Sequence, residues 1–205
     1  VNGKRAETGI QVESGDVVVV KGKTVVPEEK KVYLAFNKPR GIVCTAEKRE
    51  KNNVIDYLSY PVRIYPVGRL DKDSEGLLLM TNDGAIVNGI MRARNRHEKE
   101  YQVEVNKEIT PEFLKKMASG VPILDTVTRP CRIQKTGERS FTIILTQGLN
   151  RQIRRMCEAL GYRVTKLKRV RIMNIHLKDL KTGEYRPLTE KELAELKKQI
   201  GEEKR

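Results

Sequence analysis

The chain has 205 residues, 38% of them hydrophobic, which suffices for one packed domain with a small appendage and excludes a disordered chain. Its 41 Lys and Arg against 27 Asp and Glu leave a net charge of +14 and a pI near 9.7, so a polyanionic partner, nucleic acid ahead of an anionic membrane, is favoured through counterion release. No window approaches about eighteen consecutive apolar residues, and Val1-Asn2-Gly3-Lys4-Arg5 lacks an apolar leader, so a soluble, cytoplasmic protein without a membrane partner is expected.

Residues 1–26 read as a short basic and apolar unit in which Ser14-Gly15-Asp16 turns into the run Val17-Val18-Val19-Val20. Pro27-Glu28-Glu29-Lys30-Lys31 is a polar linker, which sets a division into residues 1–31 and a main domain over 32–205. In that domain Val32–Phe36 and Leu77–Met80 read as strands, the second closed by the turn signal Asn82-Asp83-Gly84. Further strands are expected at Lys99–Val105, Arg129–Gln134, Phe141–Leu145 and Val170–Leu177. Thr110 followed by Pro111, with Gly120 beyond, predicts a helix over 111–118. A second helix is expected from Arg151 to Leu160, where Leu149, Ile153, Met156, Cys157 and Leu160 keep helical spacing and Gly161 stops it. Thr189 and Glu192 form a capping box that opens the last helix. Strands and helices mix without a βαβ rhythm, so the fold class is α+β, a mixed, largely antiparallel sheet with flanking helices. Cys44, Cys131 and Cys157 contain no C-x-x-C, and neither a disulfide framework nor a thiolate metal site is expected.

Three segments could carry chemistry. In Val67–Gly76, carboxylates and cations alternate directly before an apolar strand, a setting that presents one side chain rigidly. Asp71, Asp73 and Glu75 match the first half of a calcium loop, but its twelfth position is Asn82, and Arg69 and Lys72 oppose a cation; no metal is expected. A solvated turn capped by Asp73 and Ser74 would read alike. The stretch Arg151–Arg171 holds eight Lys or Arg and one acid, Glu158. It reads either as a nucleic-acid surface or as a solvated face, and the charge of the whole chain favours the first. Arg92–Tyr101 leads basic residues into a strand with an aromatic that either stacks on a base or lies in the core.

Together these segments resemble the pseudouridine synthases. Gly68-Arg69-Leu70-Asp71 with Ser74-Glu75-Gly76-Leu77-Leu78 is similar to the family's catalytic motif, Lys99-Glu100-Tyr101 to its second and Gly148–Met156 to its third, while Lys38-Pro39-Arg40-Gly41 resembles its K-P-x-G turn. The branch resembled acts on large-subunit ribosomal RNA and carries a small N-terminal S4 domain, whose closing half Val1–Lys4 and Ser14–Val19 resemble. The resemblance implies that Asp71 is the nucleophile or base, that Tyr101 stacks on the target uracil, and that Arg154 pairs with Asp71. It also implies that Arg69 fills the space the base vacates and that Leu167 packs near the base. A facing guanidinium would keep the carboxylate anionic once RNA covers it. Isomerising uridine breaks the N1 bond and rejoins through C5, adding no group and moving no electron, so no cofactor is expected. RNA contacts are expected at Lys72, Arg94, Arg96, Asn150, Arg151, Gln152, Arg155, Lys166, Lys168, Arg169 and Arg171. The expected partner is ribosomal RNA, with transfer RNA as an alternative, met by a monomer. The rivals are a non-catalytic RNA-binding or ribosome-assembly factor and a metal nuclease using Asp71, Asp73 and Asp83.

Overall fold

A computed structural model describes residues 1–13, 15–25, 29–92 and 96–202, the side chain of Glu202 excepted. Ser14 of the expected turn, Pro27 and Glu28 of the expected linker, and Arg94 lie outside them. The chain divides into two compact units, Val1–Lys31 and Val32–Arg205. In the first, β1 (Val18–Val20) and β2 (Lys23–Val25) form an antiparallel hairpin, and the Asn2 side chain bridges Asp16 and the Val17 amide.

The second unit begins β3 (Tyr33–Lys38), α1 (Val54–Leu58), β4 (Tyr65–Pro66), β5 (Glu75–Thr81), α2 (Gly84–Met91) and β6 (Lys99–Val105). It continues α3 (Pro111–Ser119), β7 (Pro122–Ile123), β8 (Thr126–Val127), β9 (Arg132–Gly137), β10 (Ser140–Leu145) and α4 (Gln152–Ala159). β11 (Val164–Ile172), β12 (Ile175–His176), β13 (Tyr185–Pro187) and α5 (Glu190–Glu202) complete it. A mixed sheet runs β13-β3-β5-β11-β6-β10-β9, with β4 on β5 and β12 on β11. Every pairing in it is antiparallel except β5 with β11.

Local chemistry explains the elements. The Thr110 hydroxyl accepts from the Phe113 amide, Pro111 sits at the first turn, and Phe113 and Met117 turn inward one helical turn apart. Phe113 then meets Phe141 of β10 and Tyr162 at ring distances of 5.6 and 4.2 Å. The turn signal after Thr81 ends β5, and the Asp83 carboxylate there accepts from the Ala85 amide and caps α2. Two expected strands shift. The one expected over Arg129–Gln134 lies at Arg132–Gly137. The strand expected over Val170–Leu177 starts earlier, at Val164, and stops at Ile172, because Met173 takes the left-handed backbone (φ 52°) that turns the chain into β12.

The parallel contact sets the site. Gly76 faces Arg169 across it, with φ +108°, and a Cβ there would lie 2.2 Å from the Arg169 carbonyl oxygen. Only glycine lets β11 come this close to β5. Gly76→Ala is therefore expected to cost about 3 kcal/mol or more, combining backbone strain with overpacking. Gly84→Ala, where an added Cβ meets nothing within 4 Å, serves as control. Urea unfolding compares them, and equal midpoints would refute the close approach as the reason for glycine.

Candidate active site

Loop 67–74 is pinned at several points. The Val67 amide donates to Leu79 O (2.8 Å), the Leu70 amide to Cys44 Sγ (3.4 Å) and the Ser74 amide to Asp71 O (3.0 Å). Val67 and Leu70 are buried, so Asp71, half-buried, emerges from a loop fixed on both sides. The K-P-x-G turn braces it from below. Lys38, 0% exposed, donates to Pro39 O and Ile42 O at 2.8 and 2.7 Å, which curls the turn so that the Gly41 amide reaches Lys72 O at 2.7 Å. Burial holds the Lys38 ammonium below its usual range, while Asp71, Asp73 and Glu75 act in the other direction.

The far wall is the start of α4. Arg151 takes a left-handed backbone (φ 48°) at the helix N-cap, so its side chain leaves the helix toward the loop. It grips Asp73 through two hydrogen bonds, Nη1 to Oδ1 (3.0 Å) and Nη2 to Oδ2 (2.9 Å), and its Nη1 also lies 3.6 Å from Asp71 Oδ2. Arg154, a turn further on and 8% exposed, donates to Asp73 O (2.9 Å) and Ser74 Oγ (3.2 Å). The expected Arg154–Asp71 pair is thus replaced by Arg151–Asp71, because Arg154 lies on the buried face of the helix and is used up beneath Asp73. Hydrogen bonding from Arg151, with the charge of Arg154 behind it, pulls the Asp73 carboxyl down to about 2.

Between loop and helix lies a cleft of about 370 Å³ lined by Arg69, Asp71, Lys99, Tyr101, Asn150, Arg151, Gln152, Leu167 and Arg169, among others. Asp71, Arg69, Tyr101 and Leu167 are therefore brought together. Tyr101 stands opposite Arg169 of β11 and Ile143 of β10, and Leu167 (7% exposed) opposite Val103, so both point to the cleft side of the sheet.

The other expected contacts divide. Asn150 and Lys72 are exposed, as is Arg96, while Arg155 braces the Asn150 loop through Asn150 O and Oδ1 at 3.0 and 2.8 Å. Gln152 (5% exposed), the first residue of α4, turns back on the preceding loop: its Oε1 accepts from the Leu149 amide at 3.1 Å. Arg169 (3% exposed) donates Nε to Leu77 O at 2.8 Å, and Arg171 is held by Glu98 and Glu100 at 3.1 and 3.6 Å. These three are withdrawn from the outer RNA surface, since burial or a carboxylate already occupies them. Lys166 and Lys168 alternate with Leu167 and Arg169 and so face the opposite side of the sheet, with Gln102, Glu104 and Thr142. Sequence reading missed Lys99 as a wall of the cleft, and also Arg40 and Arg163, which with Arg151, Arg154, Asp73 and Glu158 line a second hollow of about 440 Å³ next to it. Arg163 stood inside the noted basic stretch, whereas Arg40 had only the K-P-x-G pattern as a signal.

Residues 32–159 match the family described as RNA pseudouridylate synthase. The chain is 54% identical over 202 residues, 98% of its length and 70% of theirs, to the dual-specificity RNA pseudouridine synthase RluF of Salmonella typhi and that of Escherichia coli (strain K12). It is 37% identical to ribosomal large subunit pseudouridine synthase B of Bacillus subtilis (strain 168), covering 96% of this chain and 84% of that protein. A crystal structure of a pseudouridylate synthase superposes with a TM-score of 0.77 at 29% identity, over 95% of this chain and 86% of the other.

The Asp73 clasp makes a pH prediction. A folded-state value of about 2 against an ordinary 3.8 means its stabilisation is present above about pH 4 and is lost as the pH falls toward 2. With 37% of the Asp73 side chain exposed, solvent screening leaves about 1 kcal/mol. Urea midpoints at pH 7 and pH 3 should therefore fall further for the native chain than for Asp73→Asn, and identical falls would mean that the clasp is not ionic.

Proposed function

Because the chain belongs to the RNA pseudouridylate synthase family and is an RNA pseudouridine synthase, we propose that Asp71 is its catalytic carboxylate and that its substrate is a uridine flipped out of folded large-subunit ribosomal RNA. The observation that carries this is the single carboxylate held at a cleft that Tyr101 and Leu167, from the sheet, also line. A second RNA class, transfer RNA, fits the same cleft, and the relatives at 54% identity are named dual-specificity enzymes.

The uridine leaves its stack at a cost of a few kcal/mol, offset by stacking on Tyr101 and packing on Leu167. Arg69, exposed at the rim, takes the vacated place in the RNA. Asp71 then either adds to C1′ or removes the C2′ proton as the N1–C1′ bond breaks, and Arg151 keeps the carboxylate anionic as RNA excludes water. The base turns and rejoins through C5, so no cofactor is consumed. Arg40 and Arg163, both exposed, form the phosphate-facing surface beside the cleft. The unit Val1–Lys31 is the closing part of an S4-like RNA-binding domain, and the enzyme works as a cytoplasmic monomer.

Tritium release from [5-³H]uridine-labelled ribosomal RNA, with EDTA present, is expected from the native chain and not from Asp71→Asn, whose RNA affinity stays within a few-fold. Turnover by the variant would sink the assignment. Arg163→Ala should lower the slope of log affinity against log salt by about one. Lys168→Ala, on the opposite face, should leave that slope unchanged, and the reverse pattern would move the RNA surface to that face.

A further inference from the structure

Two cations in the cleft stand apart from the ion pairs around Asp71. Lys99 opens β6 on the same face as Tyr101, two residues on, and lines the cleft half-buried. Arg169 stands directly opposite Tyr101 on β11. Its Nε is taken by Leu77 O, but its Nη2 is buried and has no hydrogen-bond partner among the described residues. Lys99 likewise has neither a hydrogen bond nor a carboxylate partner among them. Burial, with Arg169 close by, pushes its ammonium down to about 8. Of the side chains lining the cleft, Asp71 alone is acidic, and it faces Arg151.

Desolvated cations without counterions are costly unless a ligand supplies the negative charge. The flipped uridine offers two candidates, a backbone phosphate and the base. Tyr101 favours the base: Lys99 is two residues away on the same strand face and Arg169 is its cross-strand neighbour, so a base stacked on the ring would have a carbonyl edge within reach of both. The reaction also makes charge there. When the N1–C1′ bond breaks, its electron pair stays on the base, giving a uracil anion delocalised over N1, O2 and O4. On the ribose side an Asp71 oxygen bonds C1′, or the C2′ proton passes to Asp71. C5 then bonds C1′ as the Asp71–C1′ bond breaks or, on the other route, as Asp71 returns its proton to C2′; the C5 proton leaves to solvent, N1 gains one, and the Asp71 carboxylate is restored.

Resting on the reading that this cleft takes a flipped uridine, we propose that Lys99, with Arg169 Nη2 beside it, binds the carbonyl edge of the uracil and holds the negative charge that the ring carries between leaving through N1 and returning through C5. Donors fixed in advance where charge develops, in a site closed to water, act on the transition state more than on the ground state.

The test is single-turnover conversion of target RNA carrying either uridine or 5-fluorouridine, followed by loss of the original nucleoside from digested RNA. Lys99→Gln should slow uridine conversion about 100-fold, the usual effect of losing one such donor, with RNA affinity unchanged, while Lys99→Arg restores most of the rate. Fluorine already stabilises the base anion, so the loss on 5-fluorouridine RNA should shrink to about tenfold or less. If Lys99→Gln does not fold, Lys99→Met replaces it. An equal loss on both substrates overturns the proposal. Weaker RNA binding with a flatter salt slope and an unchanged single-turnover rate overturns it too, and makes Lys99 a phosphate ligand. The two readings fail separately: a native chain inactive on every RNA sinks the uridine-isomerase reading, whereas a native chain that turns over, an inert Asp71→Asn and a fully active Lys99→Gln sink only this one.

Discussion

Asp73 and Arg151 meet across 78 residues of sequence, and their two hydrogen bonds, 3.0 and 2.9 Å long, tie the loop before β5 to the first turn of α4. Nearly everything about the cleft depends on that tie. The loop carries Asp71 and Arg69, the helix start carries Asn150 and Arg151, and neither wall lies in the sheet. A guanidinium meeting a carboxylate with two bonds fixes direction as well as distance, which a lysine in the same place would not. Arg154 then fixes the backbone under Asp73, so the carboxylate cannot swing out with its peptide. A half-exposed ion pair adds little to overall stability. Its importance is positional, because the carboxylate that needs placing is its neighbour two residues back.

The charge of +14 is not spread evenly in what it does. Several basic side chains are engaged within the protein: Arg171 by Glu98 and Glu100, Arg186 by Glu192 at 2.7 Å, and Arg169 in part, through its Nε to the Leu77 carbonyl. Others, Arg40 and Arg163 among them, remain exposed beside the cleft. A count of cations therefore predicts attraction to a polyanion while overstating the number of its contacts.

Signals carried by neighbouring residues were legible in the sequence: Thr110-Pro111 with Gly120 frames α3, and Thr189 and Glu192 exchange their capping bonds at 3.0 and 3.1 Å. The family resemblance named Asp71, Tyr101 and Leu167, and all three line one cleft. Asp83 shows the first kind of limit: the turn signal ended β5 as expected, but a turn and a helix cap use the same side chain in the same way, and α2 beyond it was not foreseen. Arg169 and Gln152 show the second. In a one-dimensional string a buried guanidinium and a phosphate-binding one are identical, and only the register of β11 against β6 and β5 separates them. The parallel pairing through Gly76 is of the same kind, because the need for glycine lies in a backbone more than ninety residues away.

Lys38 connects the turn to the acids of the loop. Burial disfavours the charge of an ammonium bonded to two carbonyls and holds it below its usual range. Cys44, Asp71, Asp73 and Glu75 act in the other direction. The acidic string therefore favours the charge of the cation that shapes the turn beneath it, and the turn in return holds Lys72 O. Of the three carboxylates, Asp73 is occupied by Arg151 and Arg154, and Glu75 lies in β5 facing Lys166 at 3.7 Å. Only Asp71 is left turned toward the cleft, because ion pairs to Arg151, Arg154 and Lys166 hold the other two carboxylates outside it.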